Sequence, residues 1–255
     1  MKVRILGCGT STGVPKIGNE WGQCDPDEPR NARLRSSILV ESGNSRVLVD
    51  CGPDLRQQLL AARVGTLDAV IVTHDHGDHV HGIDELRPVS QALEGPVPLL
   101  GRADTLRSLA RRFAYAFEQS DFYRPIVAPR EIGNQWAFGD AAVRFVDQPH
   151  GSASSLGMRF DENDRSIAYG IDFSDLTEDM AALYQGADVW IADCLTRRPH
   201  PTHAHLDGVL GWARELGVGR LYLTHMGNGL DYRSLRAELP DWAEPAYDGL
   251  EIALP

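Results

Sequence analysis

Apolar residues along the chain fall in short, often β-branched runs separated by polar or glycine-bearing turns. Residues 3–6 read as a first strand, closing on Gly7-Cys8-Gly9-Thr10-Ser11-Thr12-Gly13-Val14-Pro15, a loop of a kind that can offer N–H groups to an anion. Residues 36–41 and 46–50 flank Ser42-Gly43-Asn44 and predict a β-hairpin. The uninterrupted run Ala69-Val70-Ile71-Val72 predicts a strand buried on both faces. In the second half, residues 143–146, 156–160, 166–169, 189–192 and 221–223 read as strands, the second and third of them a hairpin. Apolar spacing predicts helices over 54–62, with Leu55, Leu59 and Leu60 on one face, and over 105–113, 176–184 and 206–216. A short helix at 83–87 is expected to stop at Pro88. Tyr115, Phe117, Phe122 and Tyr123 crowd a segment ended by Pro125 and Pro129. Core packing is the simplest reading of it, and a pocket cap or a homodimer interface are the other two.

Strands and helices thus alternate through two halves, the pattern of an α/β chain. With 255 residues and 42% apolar content, one domain spanning 1–255 can bury a sizeable core. The amino terminus runs straight into the first strand without a secretory apolar region, and no run is long enough to cross a bilayer. A cytoplasmic protein without a membrane partner is expected. Cys8, Cys24, Cys51 and Cys194 lack paired spacing, so reduced thiols are expected rather than a disulfide framework. The net charge of −11 opposes tracking along long nucleic acid. It leaves open a small anion drawn to a local positive charge.

That local charge has an obvious source. Thr73-His74-Asp75-His76-Gly77-Asp78-His79 follows the buried run directly and sets three imidazoles and a carboxylate within six positions. His74 and His76, two apart, can grip one cation, and Asp78 and His79, at the start of a helix, a second. His150, Asp172 and His225 each lie just past a strand. A two-ion reading uses all seven: His74, His76 and His150 for one ion, Asp78, His79 and His225 for the other, and Asp172 bridging. Imidazole and carboxylate without thiolate suit zinc, manganese or iron. Such ions lower the pKa of bound water toward about 7 and supply a bridging hydroxide, and Asp78 counts as a catalytic residue as well as a ligand. Asp50, at a strand end, either fixes the spare N–H of a metal-bound histidine or caps the following helix. His203 and His205, in Pro201-Thr202-His203-Ala204-His205-Leu206-Asp207, are the candidate general acids. His81 has no assigned role.

Together these residues resemble the metallo-β-lactamase superfamily, whose H-x-H-x-D-H signature is here His74-Asp75-His76-Gly77-Asp78-His79. The resemblance implies an αββα sandwich of two similar halves with a dinuclear site at their shared edge. It also implies His150, Asp172 and His225 as the remaining ligands and Asp50, in Leu48-Val49-Asp50-Cys51-Gly52, as the partner of a ligand histidine. The opening Gly-x-Gly-Thr-Ser-x-Gly-Val-Pro and the ending Tyr247-Asp248-Gly249-Leu250-Glu251-Ile252 look like the cyclic phosphodiesterase branch of the carbon-phosphorus lyase pathway, related to ribonuclease Z. That branch implies His203 as proton donor. Only Cys24 lies where it carries clustered cysteines, and Asn228 stands where it has a further histidine, so no third metal is expected.

The expected activity is hydrolysis of a small cyclic phosphate or nucleotide phosphodiester with two divalent ions, zinc or manganese, as cofactors. A thioesterase of the glyoxalase II type would share the ligands without needing His203. A metal-containing protein that binds a nucleotide without hydrolysing it is the third reading.

Overall fold

The computed structural model describes residues 1–254. The first sheet contains β1 (Lys2–Gly7), β2 (Ser37–Ser42), β3 (Ser45–Val49), β4 (Ala69–Ile71), β5 (Val97–Gly101) and β6 (Val127–Glu131). The second contains β7 (Gln135–Phe138), β8 (Ala141–His150), β9 (Ala153–Glu162), β10 (Arg165–Gly170), β11 (Val189–Asp193), β12 (Arg220–Thr224) and β13 (Ala243–Pro245). β14 (Glu251–Ala253) returns to the first sheet and pairs with β1. The strand orders are β14-β1-β2-β3-β4-β5-β6 and β7-β8-β9-β10-β11-β12-β13. In both, the pairings along the sheet are antiparallel up to the fourth strand and parallel after it. One pattern is therefore used twice, which is the pair of similar halves expected.

The helices are α1 (Leu55–Ala62), α2 (Gly77–Val80), α3 (Arg87–Ala92), α4 (Ala103–Arg112), α5 (Ala114–Phe117), α6 (Glu178–Tyr184), α7 (Leu206–Glu215) and α8 (Tyr232–Glu238). Successive strand residues serve different cores, because side chains alternate across a sheet. Ile38, Val40, Val47, Val49 and Ile71 enter the core shared with the second sheet. Leu39, Leu48 and Val70, between them, pack with Leu55 and Leu59 of α1 in a separate core. Each of these strand residues is at most 1% exposed, worth about 1.5–3 kcal/mol for a fully buried Val, Leu or Ile. Burial on both faces is what an αββα sandwich requires, and it explains why 69–72 reads as a continuous run.

Three expectations need correction. Pro88 does not stop a helix: a 3-10 turn at Ile83–Leu86 leads straight into α3, with Pro88 in the first turn, where a missing N–H costs nothing. The strand read at 143–146 extends over Ala141–His150. Core packing does not account for the whole aromatic segment. Phe117 packs on the helix-side core, but Tyr115, Phe122 and Tyr123 are 52%, 89% and 66% exposed. All four cysteines are free and buried. Among the described residues, no helix is long and apolar enough to cross a membrane.

Candidate metal centre

Strand direction collects the site. β3, β4 and β5 run parallel in the first sheet, so their carboxyl ends share an edge. In the second, β8 and β10 are two antiparallel steps apart and so run the same way, together with β11 and β12. The edges meet where Leu156 N–H donates to Thr73 O at 3.0 Å. The carboxyl ends of these strands and the segments that follow them carry every candidate ligand, as expected where α/β sheets bind ligands.

The structure brings all seven together. Donor atoms of His74, His76, His150 and Asp172 lie within 4.8 Å of one another, as do those of Asp78, His79 and His225. Asp172 lies between the two groups. Its Oδ2 is 3.5 Å from His74 Nε2, 3.5 Å from His150 Nε2 and 3.6 Å from His79 Nε2, and its Oδ1 is 3.5 Å from His225 Nδ1. Buried polar atoms are normally hydrogen-bonded, yet His74 Nε2, His79 Nε2 and Asp172 Oδ1 are buried without a partner. Orphaned donors converging on one point, with no thiolate among them, fit divalent cations.

Backbone geometry agrees. Asp50, Asp172 and His225 adopt left-handed φ values of 64°, 52° and 55°, a conformation that costs a non-glycine residue about 1–3 kcal/mol and clusters at functional sites. Gly52 completes the turn after Asp50, where a Cβ would collide with the carbonyl of Asp78. Gly151, at φ 61°, leaves His150 facing the cluster, and a Cβ there would come within 2.8 Å of the Thr202 side chain.

Most of the rings are fixed by groups outside the cluster. Asp50 Oδ2 lies 2.7 Å from His79 Nδ1, and Asp50 Oδ1 accepts from Thr73 N–H at 2.8 Å. Asp50 therefore anchors a histidine and does not cap α1. Thr73 Oγ1 is 3.0 Å from His74 Nδ1, Thr202 O accepts from His150 Nδ1 at 2.8 Å, and Ser36 Oγ is 3.2 Å from His225 Nδ1. Burial depresses the pKa values of His74 and His150, keeping their rings neutral as metal binding needs. Burial disfavours charge on Asp172, but His225 and His79 outweigh it and hold the carboxyl well below the usual range. The same balance, with His79 and His225 against burial, keeps Asp78 ionised.

A cavity of about 290 Å³ opens over the cluster, lined by Ser11, His76, Asp78, Ser152, Thr202 and His203 among others. His203 Nδ1 sits 2.9 Å from Asp193 Oδ2, and its ring stacks on His225 with centroids 5.1 Å apart. Burial lowers the His203 pKa, but the Asp193 carboxylate more than offsets this, and the net shift is upward. His205 does not line the cavity; it precedes α7 and packs against Gly208. Asp193, Ser36 and Ser11 had no assigned role in the sequence. The signal for Asp193 was present: it ends a buried run, as Asp50 and Asp172 do. A larger hollow of about 850 Å³ lies between β1 and α1, but Arg4 and Arg35 on its wall are already paired with Glu251 and Asp54.

The description "Beta-lactamase superfamily domain" matches residues 45–226, which hold the whole donor cluster. The chain belongs to the beta-lactamase superfamily. Its His and Asp cluster fits the divalent-metal use of that superfamily. A solved structure described as a new diphosphatase from the PhnP family is 32% identical, with a TM-score of 0.88 over 98% of this chain and 96% of that one. An octanoyltransferase of Porphyromonas gingivalis is 30% identical over 260 residues, covering all of this chain but 52% of that protein. The chain thus spans about half of that relative, whose name describes a longer protein. A ribonuclease Z of Mycobacterium bovis is 26% identical over 236 residues, with 79% of this chain and 81% of that one covered.

Proposed function

We propose that this superfamily member is a dinuclear metal-dependent phosphodiesterase acting on a small cyclic phosphate or nucleotide phosphodiester. The observation that carries the reading is the His203–Asp193 pair beside the cluster. A phosphodiester leaves as an alkoxide, which needs a proton. A thioester leaves as a thiolate, which does not, so a carboxylate that keeps an imidazole protonated is of use to the first and idle in the second. The diphosphatase and ribonuclease Z likenesses support the same class, since both names denote cleavage at phosphorus.

His74, His76 and His150 would hold one divalent ion, Asp78, His79 and His225 a second, and Asp172 would join them. Such a pair supplies hydroxide at neutral pH and offsets charge on phosphoryl oxygens. The chain does the rest. Asp50, Thr73 and Thr202 orient the rings of His79, His74 and His150, fixing which nitrogen faces the cluster. His203 holds a proton at the nitrogen facing the cavity while Asp193 holds the other nitrogen, and it gives that proton to the departing oxygen. The cavity volume favours a small diester, or the scissile group of a larger one, over a broad polymer surface.

The test compares turnover of bis-p-nitrophenyl phosphate and a panel of cyclic phosphates with that of a thioester such as S-lactoylglutathione, in zinc and in manganese. Diester turnover in the presence of metal is expected. Thioester-only activity sinks the reading, and tight nucleotide binding without hydrolysis points to the non-hydrolytic nucleotide-binding protein instead.

A further inference from the structure

Four of the five imidazoles at the cluster have a ring nitrogen held by a group outside the ligand set: Thr73, Asp50, Thr202 and Ser36. His76 differs. Its Nδ1 meets His150 Nε2 at 3.3 Å, another prospective ligand, and its side chain is exposed. Some other feature has to fix it.

That feature lies one residue back. Asp75 reaches to α4, where Ser108 and Arg112, four apart, share a face. Ser108 Oγ donates to the Asp75 carboxylate, and Arg112 Nη1 donates to the Asp75 main-chain carbonyl and lies 3.7 Å from Asp75 Oδ2. Arg112 Nη2 donates to His81 Nε2 at 2.8 Å. The His81 ring lies against Gly77, where a Cβ would come within 2.8 Å of it. The carbonyl that Arg112 grips and the N–H of His76 belong to one planar peptide unit. Holding that plane therefore sets the direction in which His76 leaves the chain.

We propose that Arg112 and Ser108, acting through Asp75, are positioning residues for His76 and so set the affinity of the ion shared by His74, His76 and His150. They do this without touching ion or substrate. His81, left over by the sequence motif, buttresses the same turn through Arg112. The proposal rests on the two-ion reading above.

The experiment titrates zinc into metal-free protein against a chromophoric chelator for the wild type, Arg112→Ala, Arg112→Lys and Ser108→Ala, with thermal unfolding of each metal-free form alongside. Groups that orient metal ligands typically change affinity about 10- to 100-fold when removed. Arg112→Ala is expected to weaken one of two zinc ions by that factor, leave the other and the metal-free unfolding midpoint unchanged, and be partly rescued by Arg112→Lys. Added to His76→Ala, it should have no further effect on zinc, because its action runs through His76. Unchanged affinity for both ions overturns the proposal, as does equal weakening of both together with a lowered midpoint. A wild type that takes up fewer than two ions instead defeats the two-ion reading itself, which separates the failures.

Discussion

His203 and Asp193 form the part of the site whose chemistry separates from the metals. Burial pulls the His203 pKa down and Asp193 pulls it up further, so the ring stays charged to a higher pH than an unpaired buried imidazole would. A general acid must be protonated, so kcat should fall as pH rises through that raised value. Asp193→Asn removes the carboxylate, and the alkaline limb of the kcat profile should move to lower pH. A limb that stays in place would deny the pair its role. His203→Ala should leave metal content intact and slow diesters with poor leaving groups by about 10²–10⁴-fold, and p-nitrophenyl esters much less. Equal slowing of both would show that no proton is delivered from this position. His203 was visible in the sequence as a histidine in a polar loop; Asp193 was visible as a carboxylate ending a buried strand, but its pairing with His203 was not, because a strand end does not reveal which loop will cross it.

The elements were legible where a single physical rule decides them. Gly43-Asn44 announces the β2–β3 hairpin, and Asn163-Asp164, both with φ above +50°, close β9 on β10 as the right-handed strand twist demands. β5 and β6 were missed because Pro98 and Pro129 stand inside them. The segment before β2 reads as polar and irregular, yet it is pinned by buried polar groups. Arg33, 2% exposed, donates to Leu230 O at 2.6 Å and Gly227 O at 3.1 Å, and Asn31 Nδ2 donates to Asp231 Oδ2 at 2.6 Å. Sequence patterns treat such residues as surface, since burial of Arg and Asn depends on partners some 200 positions away. Asp231 also caps α8 through Ser234 N–H at 2.9 Å. Asp231→Ala should cost about 1 kcal/mol or more in urea unfolding at pH 7. These bonds hold the Asp231 pKa down to about 2, despite burial that would raise it. The sign for a depressed carboxylate is stability present above its unfolded pKa and lost below. The gap between variant and wild type should therefore narrow as pH falls from about 4 toward 2. A gap that widens on acidification would rule out the ionised cap.

Across the whole molecule, one sheet pattern is used twice, and the repeat accounts for the site. The turn after β3 carries Asp50 and the corresponding turn after β10 carries Asp172, both with left-handed φ. The first has become an anchor for His79 and the second the centre of the cluster. Two divalent ions held by donors from both halves at one seam would let an acidic chain of net charge −11 present a local positive field to an anion. Everything proposed for the chemistry depends on Asp172 serving two ions at once. Elemental analysis of freshly purified wild type and Asp172→Asn, side by side, tests this most directly. The account predicts two divalent ions per wild-type chain and loss of both together in the variant; a wild type without tightly held metal, or a variant that loses one ion and keeps the other, would contradict it.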